Sequence, residues 1–561
     1  MGATGKPRTG VNRKMLKRLT AWLLVLGLLT VCVSGATAAA GTLRKGSRGE
    51  EVTRLQNALK ALGLYTIRVD GIYGKGTVAA VTAYQRKAGL KADGIAGPKT
   101  LGSLYGSGGT TGGGSTGGAT AQQTAGSVKP AAASGSLRPG DRGEAVRELK
   151  ARLRYIGYLD GEVNDVYDDG TRAAVIAFQA ASRLTRDGIA GKKTLAALDT
   201  AWTAARKETG HLPEEAAVLL NRIRRESGAV NGTLVLTKDG KTILTWGFGG
   251  ADPETCFRIA SVTKWVTAIG LMTLVDRGQL DLDRDISDYL PFTVRNPAYP
   301  DKAITARMLL SHTSSLSPKA EKYRPDWERI GKNGYDPIFD ESIEPGTRFV
   351  YADYNGALFG GLIEAITGES VQDYMNRTVF APLGLTAAYS PKYLPAGTRT
   401  KDMLRTNGTT AISVQNDLNY AYNNTADPRA NNGHTVGGLY ISAASLTRLA
   451  RMMLSGGELD GVRILNRETV SLMEADQPGL ARSDYGLSNV RHAQFPRGTW
   501  FGHQGRYSGL TSNVYYQVDT GMTLALIMNG YDFQLENNIV MPAVTLLRNM
   551  EMLETVCGTP Q

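Results

Sequence analysis

The sequence predicts two small three-helix domains followed by a larger α+β domain, in which an antiparallel sheet is flanked by helices and encloses an inserted helical region. Three observations support this architecture. A segment near the amino terminus recurs once without a gap. Strand patterns at 232–250, with a hairpin at "KDGK", and at 499–530 stand on either side of an apolar helix. A closing helix is expected at about 536–554, and 561 residues are too many for one ordinary domain.

The first forty residues have the layout of a secretory signal peptide. A basic stretch precedes a charge-free run, 19–40, that contains "LTAWLLVLGLLTVCV" and ends in the small residues "SGATAAA". This layout predicts export and cleavage of residues 1–40. An uncleaved anchor is the alternative, because the run reaches bilayer-spanning length, and only then is membrane contact expected. The basic residues are Lys6, Arg8, Arg13, Lys14, Lys17 and Arg18.

Charge and cysteine content exclude several other classes of protein. The formal net charge of +12 falls to +6 once the six basic residues of the signal are removed, which is typical of a solvated surface, so no nucleic-acid partner is expected. Cys32 lies in the signal, and Cys256 and Cys557 are expected to be inert thiols rather than a bridge. The five histidines show no metal-ligand spacing, so neither a metal site nor a cofactor is predicted.

Residues 43–101 recur at 137–195 with a constant offset of 94. "LRKGSRGEEVTRLQNALKALG" corresponds to "LRPGDRGEAVRELKARLRYIG", and "LKADGIAGPKTL" to "LTRDGIAGKKTL". Each copy shows two helical apolar patterns and a "DGIAG" turn before a third helix, in a unit near the lower size limit for folding alone. A flexible tether rich in glycine, serine, threonine and alanine joins the copies. The expected boundaries are signal 1–40, first domain 41–104, tether 105–136, second domain 137–199, linker 200–211 and third domain 212–561.

Both copies resemble the peptidoglycan-binding-like domain, whose pattern is L-x-x-G-x-x-G-x-x-V-x-x-L-Q, then D-G-x-Y-G-x-x-T, then D-G-x-x-G-x-x-T. The first copy keeps all three blocks, including Gln56 and "VDGIYGKGT". The second has Lys150 for the glutamine and "VNDVYDDGT" for the glycine-rich turn. The resemblance therefore implies wall binding more firmly for the first copy, with a spacer that has no glycan affinity as the alternative.

The apolar helix begins with two polar residues three positions apart, Ser261 and Lys264, in "FRIASVTKWVTAIGLMTLVDRG" (257–278). This spacing places both on one face of the first turn. Because the segment is otherwise apolar nearly all round, the helix is expected to be buried, and a buried lysine loses its proton more readily. The pair therefore has the properties of a nucleophile and its base. Alone, S-x-x-K also arises as a helix cap followed by a surface lysine.

Two further segments supply residues that such a pair needs. "EPGTRFVYADYNGALFGGLIEAITG" (344–368) carries Tyr351 and Asp353 between a Pro-Gly turn and a helix. The strand pattern at 499–530 begins with the triplet His-Gln-Gly at His503. A tyrosine or histidine in such a segment is more often a structural residue, so the interpretation of Tyr351 and His503 depends on their order and spacing along the chain.

In this order the segments resemble the serine β-lactamase and penicillin-binding superfamily, on its class C, D,D-peptidase and esterase branch, from about residue 212 onward. "TCFRIASVTKWVTAIGLMTLVDRGQLDLDRDISDYLP" (255–291) resembles the family's nucleophile block. "ITARMLLSHTSSLS" (304–317) resembles its "LLxHTSG" segment, with Ser315 for the glycine, and 437–473 resembles a later block.

The resemblance implies a role for each matching residue. Ser261 would be the acylated nucleophile, Lys264 its activating partner, and Tyr351 the phenolate or shared base that passes the proton to the leaving group. His503 occupies the position of Lys or His in the family's K/H-x-G triad. The oxyanion hole would use the backbone amides of Ser261 and Arg506.

The sequence departs from the family pattern at two places. The family has Tyr-x-Asn, whereas the third position here is Asp353, which accepts hydrogen bonds but cannot donate when ionised. Asp353 could instead pair with Lys264, keep it charged and shift the base role toward Tyr351.

In the triad Gly505 is retained, but Gln504 replaces the frequent threonine, so a hydroxyl for the substrate carboxylate is missing. Ser508 or Arg506 is a candidate substitute.

The resemblance implies a secreted, wall-tethered serine hydrolase that acts by an acyl-enzyme on peptidoglycan stem peptides, with a D,D-carboxypeptidase as the favoured activity. The partners would be the glycan and stem peptide of peptidoglycan, with β-lactams as possible ligands. A β-lactamase, D-amino-acid peptidase or esterase would use the same machinery. A non-catalytic wall-binding or sensor protein is the alternative from another class.

Overall fold

The computed structural model describes two compact units of the chain, Met1–Ser127 and Val128–Gln561. The predicted signal peptide (1–40) and residues 105–134 of the predicted tether lie outside the described residues. Among the helices that are described, none is long and apolar enough to cross a bilayer. The described residues are 42–61, 64–65, 70–87, 90–97, 100–101, 104, 135–318, 339–419, 424–428, 432–477, 484–532, 534–536 and 538–558.

In the first repeat, motif glutamines hold the turns between helices. The helices are α1 (Glu50–Ala61) and α2 (Lys75–Lys87). The buried Gln56 donates from its amide to Asp70 Oδ1 at 2.8 Å, and its Oε1 accepts from the Gly71 amide at 2.9 Å. Gln85 binds the following "DGIAG" turn in the same way. The motif glutamines are therefore structural, since each satisfies the buried polar groups of a turn.

In the second repeat, a buried lysine takes the place of the first of these glutamines. The helices are α3 (Glu144–Tyr155), α4 (Asp169–Ala181) and α5 (Lys192–Thr209). Lys150 Nζ, on a side chain that is almost wholly buried, donates to Asn164 Oδ1 at 2.8 Å and to Asp168 Oδ2 at 2.9 Å. A buried ammonium needs such partners, and the divergent "VNDVYDDGT" supplies them. The lysine and the altered turn are thus a matched pair.

The remainder of the second unit contains eleven described α-helices and sixteen described strands. The helices are α6 (Glu214–Ser227), α7 (Val262–Asp276), α8 (Ala306–Leu310), α9 (Tyr354–Thr367), α10 (Val371–Met375), α11 (Val414–Asn419), α12 (Asn432–Gly437), α13 (Ala443–Leu454), α14 (Arg467–Glu474), α15 (Met541–Arg548) and α16 (Met550–Cys557). The strands are β1 (Asn231–Lys238), β2 (Lys241–Phe248), β3 (Cys256–Arg258), β4 (Ala387–Ala388), β5 (Thr400–Lys401), β6 (Met403–Leu404), β7 (Thr410–Ile412), β8 (Tyr440–Ser442), β9 (Glu458–Leu459), β10 (Val462–Arg463), β11 (Val490–His492), β12 (Trp500–Tyr507), β13 (Leu510–Gln517), β14 (Met522–Asn529), β15 (Leu535–Glu536) and β16 (Ile539–Val540).

Six antiparallel strands form the central sheet in the order β11-β12-β13-β14-β1-β2. The hairpin between β1 and β2 turns at Asp239 and Gly240, both with positive φ, as a two-residue type I′ loop requires. The register of β1 with β14 runs from Asn231 opposite Asn529 to Lys238 opposite Met522. The opening and closing strands are therefore neighbours, which confirms the predicted α+β domain with a helical region inserted between them.

Helices cover both faces of this sheet. One face packs against α6, α15 and α16. The other packs against α7 and α13, and α9 lies against α7. Every residue of α7 from Val262 to Leu274 is buried, as its apolar sequence predicts. The predicted closing helix at 536–554 is instead the short hairpin β15–β16 followed by two helices that meet at Asn549.

The predicted linker 200–211 is helical over most of its length. Helix α5 continues to Thr209, which is buried and lies 3.1 Å from Tyr155 Oη through its hydroxyl. Asn221 of α6 donates to Tyr155 O at 2.9 Å. The segment "AWTAARKET" is rich in good helix formers, and its burial against α6 stabilises them further. The second repeat is consequently packed onto the larger domain rather than joined to it by an extended connection.

One glycine marks how closely the second repeat approaches α6. Gly157, with φ +81°, follows α3, and a methyl group there would lie 2.7 Å from Arg222 Cα. Two ion pairs flank this contact, Arg222 with Asp160 at 2.7 Å and Arg154 with Glu214 at 3.1 Å.

Gly157→Ala is expected to destabilise the Val128–Gln561 unit, because alanine disfavours a positive φ and its methyl group would overlap the α6 backbone. The expected loss is about 1–3 kcal/mol, measured by thermal unfolding. Gly161→Ala is the matched control, since no atom lies within 4 Å of its added methyl group. Equal midpoints for the two variants would contradict a tight contact at Gly157.

Candidate active site

The turn before α7 presents Ser261 at the start of that helix. Ser512 Oγ fixes the residue after β3 by donating to Ile259 O at 2.6 Å. Ala260 then adopts a left-handed conformation, φ +48°, which costs an alanine roughly 1–2 kcal/mol. This tight reversal places the Ser261 hydroxyl at the amino end of a buried helix, where backbone amides and the helix dipole favour developing negative charge.

Lys264 lies fully buried one turn along and reaches back to the serine. Its Nζ is 3.2 Å from Ser261 Oγ and donates to Val436 O on α12 at 2.8 Å. Gly356 on α9 makes room for the lysine stem, since a methyl group there would lie 2.8 Å from Lys264 Cγ. The sequence spacing Ser-x-x-Lys is thus realised as a direct hydrogen-bonding contact.

Asp353, at the start of α9, supplies the opposite charge. Its Oδ1 lies 2.5 Å from Lys264 Nζ, and the carboxylate side chain is 26% exposed. An opposite charge at this distance favours the ammonium form, which weakens Lys264 as a proton acceptor. The charge pair considered from the sequence is therefore present in the structure.

Tyr351 lies beside this ion pair, on the rim of the site. Lys264 Nζ is 5.5 Å from the centre of its ring, and the side chain is 36% exposed. The Tyr351 ring also stacks on the ring of the buried His312, with 4.2 Å between the two ring centres. His312 Nδ1 accepts from the Ala352 amide at 3.3 Å and lies 2.9 Å from Asn355 Nδ2. The imidazole thereby fixes both the backbone and the ring of the tyrosine segment.

His503 lies on β12 facing α7, but it is not a cation. Only 2% of it is exposed, its Nδ1 lies 2.8 Å from Gln504 O, and its Nε2 lies 3.2 Å from Tyr485 Oη. The carbonyl can only accept, so Nδ1 carries the proton and Nε2 is left to accept from the phenol. Burial, with the charge of Lys264, lowers the pKa of His503 to about 3. Its imidazole is neutral at physiological pH.

Glycine is required at position 505 because β12 passes directly against the nucleophile turn. A methyl group on Gly505 would lie 2.3 Å from Ile259 O and 2.9 Å from the Ser261 nitrogen. The residues on either side point away from α7 toward Asn538, whose O accepts from Gln504 Nε2 at 2.6 Å and whose Oδ1 accepts from Arg506 Nη2 at 3.0 Å.

Two cavities meet at Ser261. The larger, of about 650 Å³, is lined by Tyr351, His503, Gln504, Tyr485, His492 and Asn538 among others. The smaller, of about 170 Å³, is lined by Arg258, Met403, Ile412, Val436 and Tyr507 among others. Both also include Asp353 and Arg506, so six of the eight residues predicted from the sequence line one cavity or both. The other two, Lys264 and Gly505, lie behind Ser261 and its turn.

Sequence reasoning missed several residues of this site. His312 stood in the quoted "SHTSS" segment, so its position gave a signal, although nothing indicated its stacking on Tyr351. Tyr485, which binds His503, and Asn538, which binds Gln504 and Arg506, come from loops that show no periodic pattern. Such contacts arise only from the tertiary fold.

The two thiols of the larger domain are free, as predicted. Burial raises the pKa of Cys256 to about 12 and that of Cys557 to about 11. Neither thiol is therefore ionised at neutral pH, and neither has thiolate reactivity there.

The β-lactamase family model matches residues 218–539, more than half of the chain. The chain belongs to the β-lactamase family. The peptidoglycan-binding domain model matches residues 48–104 and 142–198, one match in each repeat. As a member of this family, the chain is a serine hydrolase of the β-lactamase type.

Named relatives are similar over parts of their length. Penicillin-binding protein 4 of Amycolatopsis lactamdurans is 27% identical over 49% of this chain and 73% of that protein. Penicillin-binding protein 4* of Bacillus subtilis (strain 168) is 25% identical over 30% of this chain, and the match spans 40% of that protein. The solved structure of the octameric penicillin-binding protein homologue from Pyrococcus abyssi aligns at 20% identity with a TM-score of 0.47, over 61% of this chain and 78% of that one.

The neutral His503 is expected to make the larger domain less stable in acid. Its pKa is about 3 when folded and about 6.5 when unfolded, so below pH 6.5 the unfolded state binds more protons. Stability is fully present above pH 6.5 and is lost as the pH falls toward 3, by up to about 1.4 kcal/mol per pH unit.

Urea unfolding at pH 7.5 and pH 5.0 measures this loss, which should be smaller in His503→Gln. The exposed His211→Gln is the control and should behave like the wild type. An identical acid loss in His503→Gln and the wild type would contradict a buried neutral imidazole.

Asp353→Asn is expected to shift the pH dependence of acylation. Removing the carboxylate makes Lys264 easier to deprotonate, so the acid limb of the rate profile should move roughly 1–3 pH units lower. Stopped-flow acylation by a chromogenic ester across pH gives the profile. The control is Asp288→Asn, which removes an exposed carboxylate paired with Arg284. An unchanged acid limb in Asp353→Asn would show that the ion pair does not govern proton transfer.

Proposed function

We propose that this protein is a secreted, cell-wall-associated serine hydrolase that cleaves peptidoglycan stem peptides through an acyl-enzyme, acting as a D-Ala-D-Ala carboxypeptidase. The observation that carries the proposal is the contact between Ser261 Oγ and Lys264 Nζ, 3.2 Å long, at the meeting of two cavities. It lies on a chain that also carries two peptidoglycan-binding domains.

In this proposal Ser261 Oγ attacks the carbonyl carbon of the penultimate D-Ala and gives up its proton. The carbonyl oxygen becomes an oxyanion, and the backbone amides of Ser261 and Arg506 would donate to it. Collapse of the tetrahedral intermediate breaks the peptide bond and expels the terminal D-Ala as an amine. Water then attacks the acyl-enzyme carbonyl, the ester bond to Ser261 Oγ breaks, the shortened peptide leaves as the acid, and a proton from the water restores the serine hydroxyl.

The ion pair supports Tyr351 as the group that accepts the serine proton. Lys264 is held as an ammonium by Asp353, and a cation 5.5 Å from the centre of the Tyr351 ring favours the phenolate. Tyr351 would take the proton from Ser261 and deliver it to the departing amine. His312, stacked beneath the ring, would keep the phenol oriented for both transfers.

The two repeats support delivery of this chemistry to the wall. The first repeat keeps the complete motif and precedes the glycine-rich segment in the sequence, so it is proposed as the wall anchor. The second is packed onto the hydrolase domain through α5 and α6. Export follows from the signal-like first forty residues and is part of the proposal.

One observation favours a second candidate, a hydrolase of D-amino-acid amides or esters. The buried neutral His503 offers no positive charge to a substrate carboxylate. A substrate whose leaving group carries no carboxylate would not need a positive charge at this position.

Ser261→Ala tests the proposal. The full chain is incubated with an N-acylated tripeptide ending in D-Ala-D-Ala, and separately with a fluorescent penicillin. The wild type should release D-Ala and carry a covalent label on Ser261, located by mass spectrometry. The variant should lose the label and at least about a thousandfold in turnover.

The matched control is Ser455→Ala, an exposed serine after α13, which should keep both activities. A label that survives Ser261→Ala would refute the nucleophile. Hydrolysis of a D-amino-acid amide without release of D-Ala would select the second candidate.

A further inference from the structure

With the family's triad hydroxyl replaced by Gln504, the strongest remaining partner for a substrate carboxylate is a cation whose charge is not already neutralised by the protein. Charge-assisted, bidentate contacts to a carboxylate are the strongest that a side chain can offer, and arginine offers them in a planar fork. Five basic side chains border the Ser261 site in the described part of the chain: Arg258, Lys264, His492, His503 and Arg506. His492 is buried on β11, with its Nδ1 3.4 Å from Gln494 Nε2, which leaves four to compare.

His503 is excluded although it holds the basic position of the triad in sequence. It is buried, and both of its ring nitrogens are engaged by Gln504 O and Tyr485 Oη. An imidazole in this state is neutral and turned into the protein.

Lys264 and Arg258 are each committed to an acidic partner. Lys264 is wholly buried and pairs with Asp353 at 2.5 Å. Arg258 Nη1 pairs with Asp417 Oδ2 at 2.9 Å, and its Nε donates to Gly437 O at 3.1 Å. Neither side chain can turn to a substrate without leaving a buried or half-buried carboxylate alone.

Arg506 differs from these side chains because the partner that holds it is uncharged. Its Nη2 donates to Asn538 Oδ1 at 3.0 Å, and none of the ion pairs found among the described residues includes it. An amide positions a guanidinium without cancelling its charge. Asn538 in turn accepts from Gln504 Nε2, so one residue fastens both side chains that flank Gly505.

The position of Arg506 matches the place where a leaving group would lie. It lines both cavities that open on Ser261, and it follows Gly505, where an added methyl group would lie 2.9 Å from the Ser261 nitrogen. Strand β11 pairs with β12 at residues 500–502, before the stretch that carries the triad. A peptide bound along that stretch would bring its terminal carboxylate to the guanidinium.

We propose that Arg506, positioned by Asn538, binds the terminal carboxylate of the substrate and so makes the enzyme select acids over amides and esters. The inference rests on the proposed carboxypeptidase function and assigns the specificity of that site to Arg506 instead of His503. It also accounts for Gln504, whose side chain serves to hold Asn538 rather than to meet the substrate.

Two peptides that differ at one group test this assignment. One is an N-acylated tripeptide ending in D-Ala-D-Ala with a free carboxylate, and the other is the same peptide with a terminal carboxamide. The full chain is assayed as wild type, Arg506→Gln, Arg506→Lys and Asn538→Asp, the last placing a carboxylate beside the guanidinium. Arg548→Gln, which removes a surface arginine paired with Glu536, is the matched control.

The wild type should prefer the acid, and Arg506→Gln should lower kcat/KM for the acid by about 10–100-fold, mainly through KM. The same variant should change kcat/KM for the carboxamide by less than about threefold. Asn538→Asp should show the same selective loss, Arg506→Lys a partial one, and Arg548→Gln none.

Equal losses on acid and carboxamide in Arg506→Gln would overturn the assignment while leaving the carboxypeptidase intact. A wild type that cleaves both peptides equally well would also overturn it. A wild type that labels Ser261 but cleaves neither peptide, releasing D-Ala from the acid and D-alaninamide from the carboxamide in no detectable amount, would reject the proposed function and this inference together.

Discussion

A single buried charge, the ammonium of Lys264, is the constraint around which the catalytic centre is built. An unpaired cation inside an apolar core is too costly to keep, so the fold must bring it partners. These are Ser261 Oγ at 3.2 Å, Val436 O at 2.8 Å and Asp353 Oδ1 at 2.5 Å. They come from the starts of α7 and α9 and from α12, so satisfying one charge draws three distant segments together. The buried lysine also requires glycine at position 356, because only glycine leaves room there for the aliphatic part of the lysine side chain.

The same charge determines the chemistry of its neighbours. It lies against the face of Tyr351 and, with burial, helps to keep His503 neutral. An ion pair, Lys264 with Asp353, thus stands beside the serine, and the triad position is left without a charge. The cation proposed for the substrate is Arg506, which is held by an uncharged amide on the side of β12 that points away from α7.

The two repeats reach one fold by two solutions. Gln56 holds its turn with a neutral amide, whereas Lys150 holds the equivalent turn with a charge that Asp168 balances. Their attachments also differ. The first repeat precedes the glycine-rich segment and forms its own compact unit, and the second shares a packed interface with the hydrolase domain through Gly157 and α5.

The sequence by itself determined the repeats, the hairpin at Asp239, the buried helix α7 and the Ser-x-x-Lys pair, because each depends on local periodicity, turn chemistry or spacing along one element. It also indicated that Asp353 could pair with Lys264. Only the tertiary structure decided that α5 runs through the expected linker, that the closing helix is broken, and that His503 is neutral. Those outcomes depend on burial and on partners such as Tyr485, distant in sequence, and neither is encoded in a local pattern.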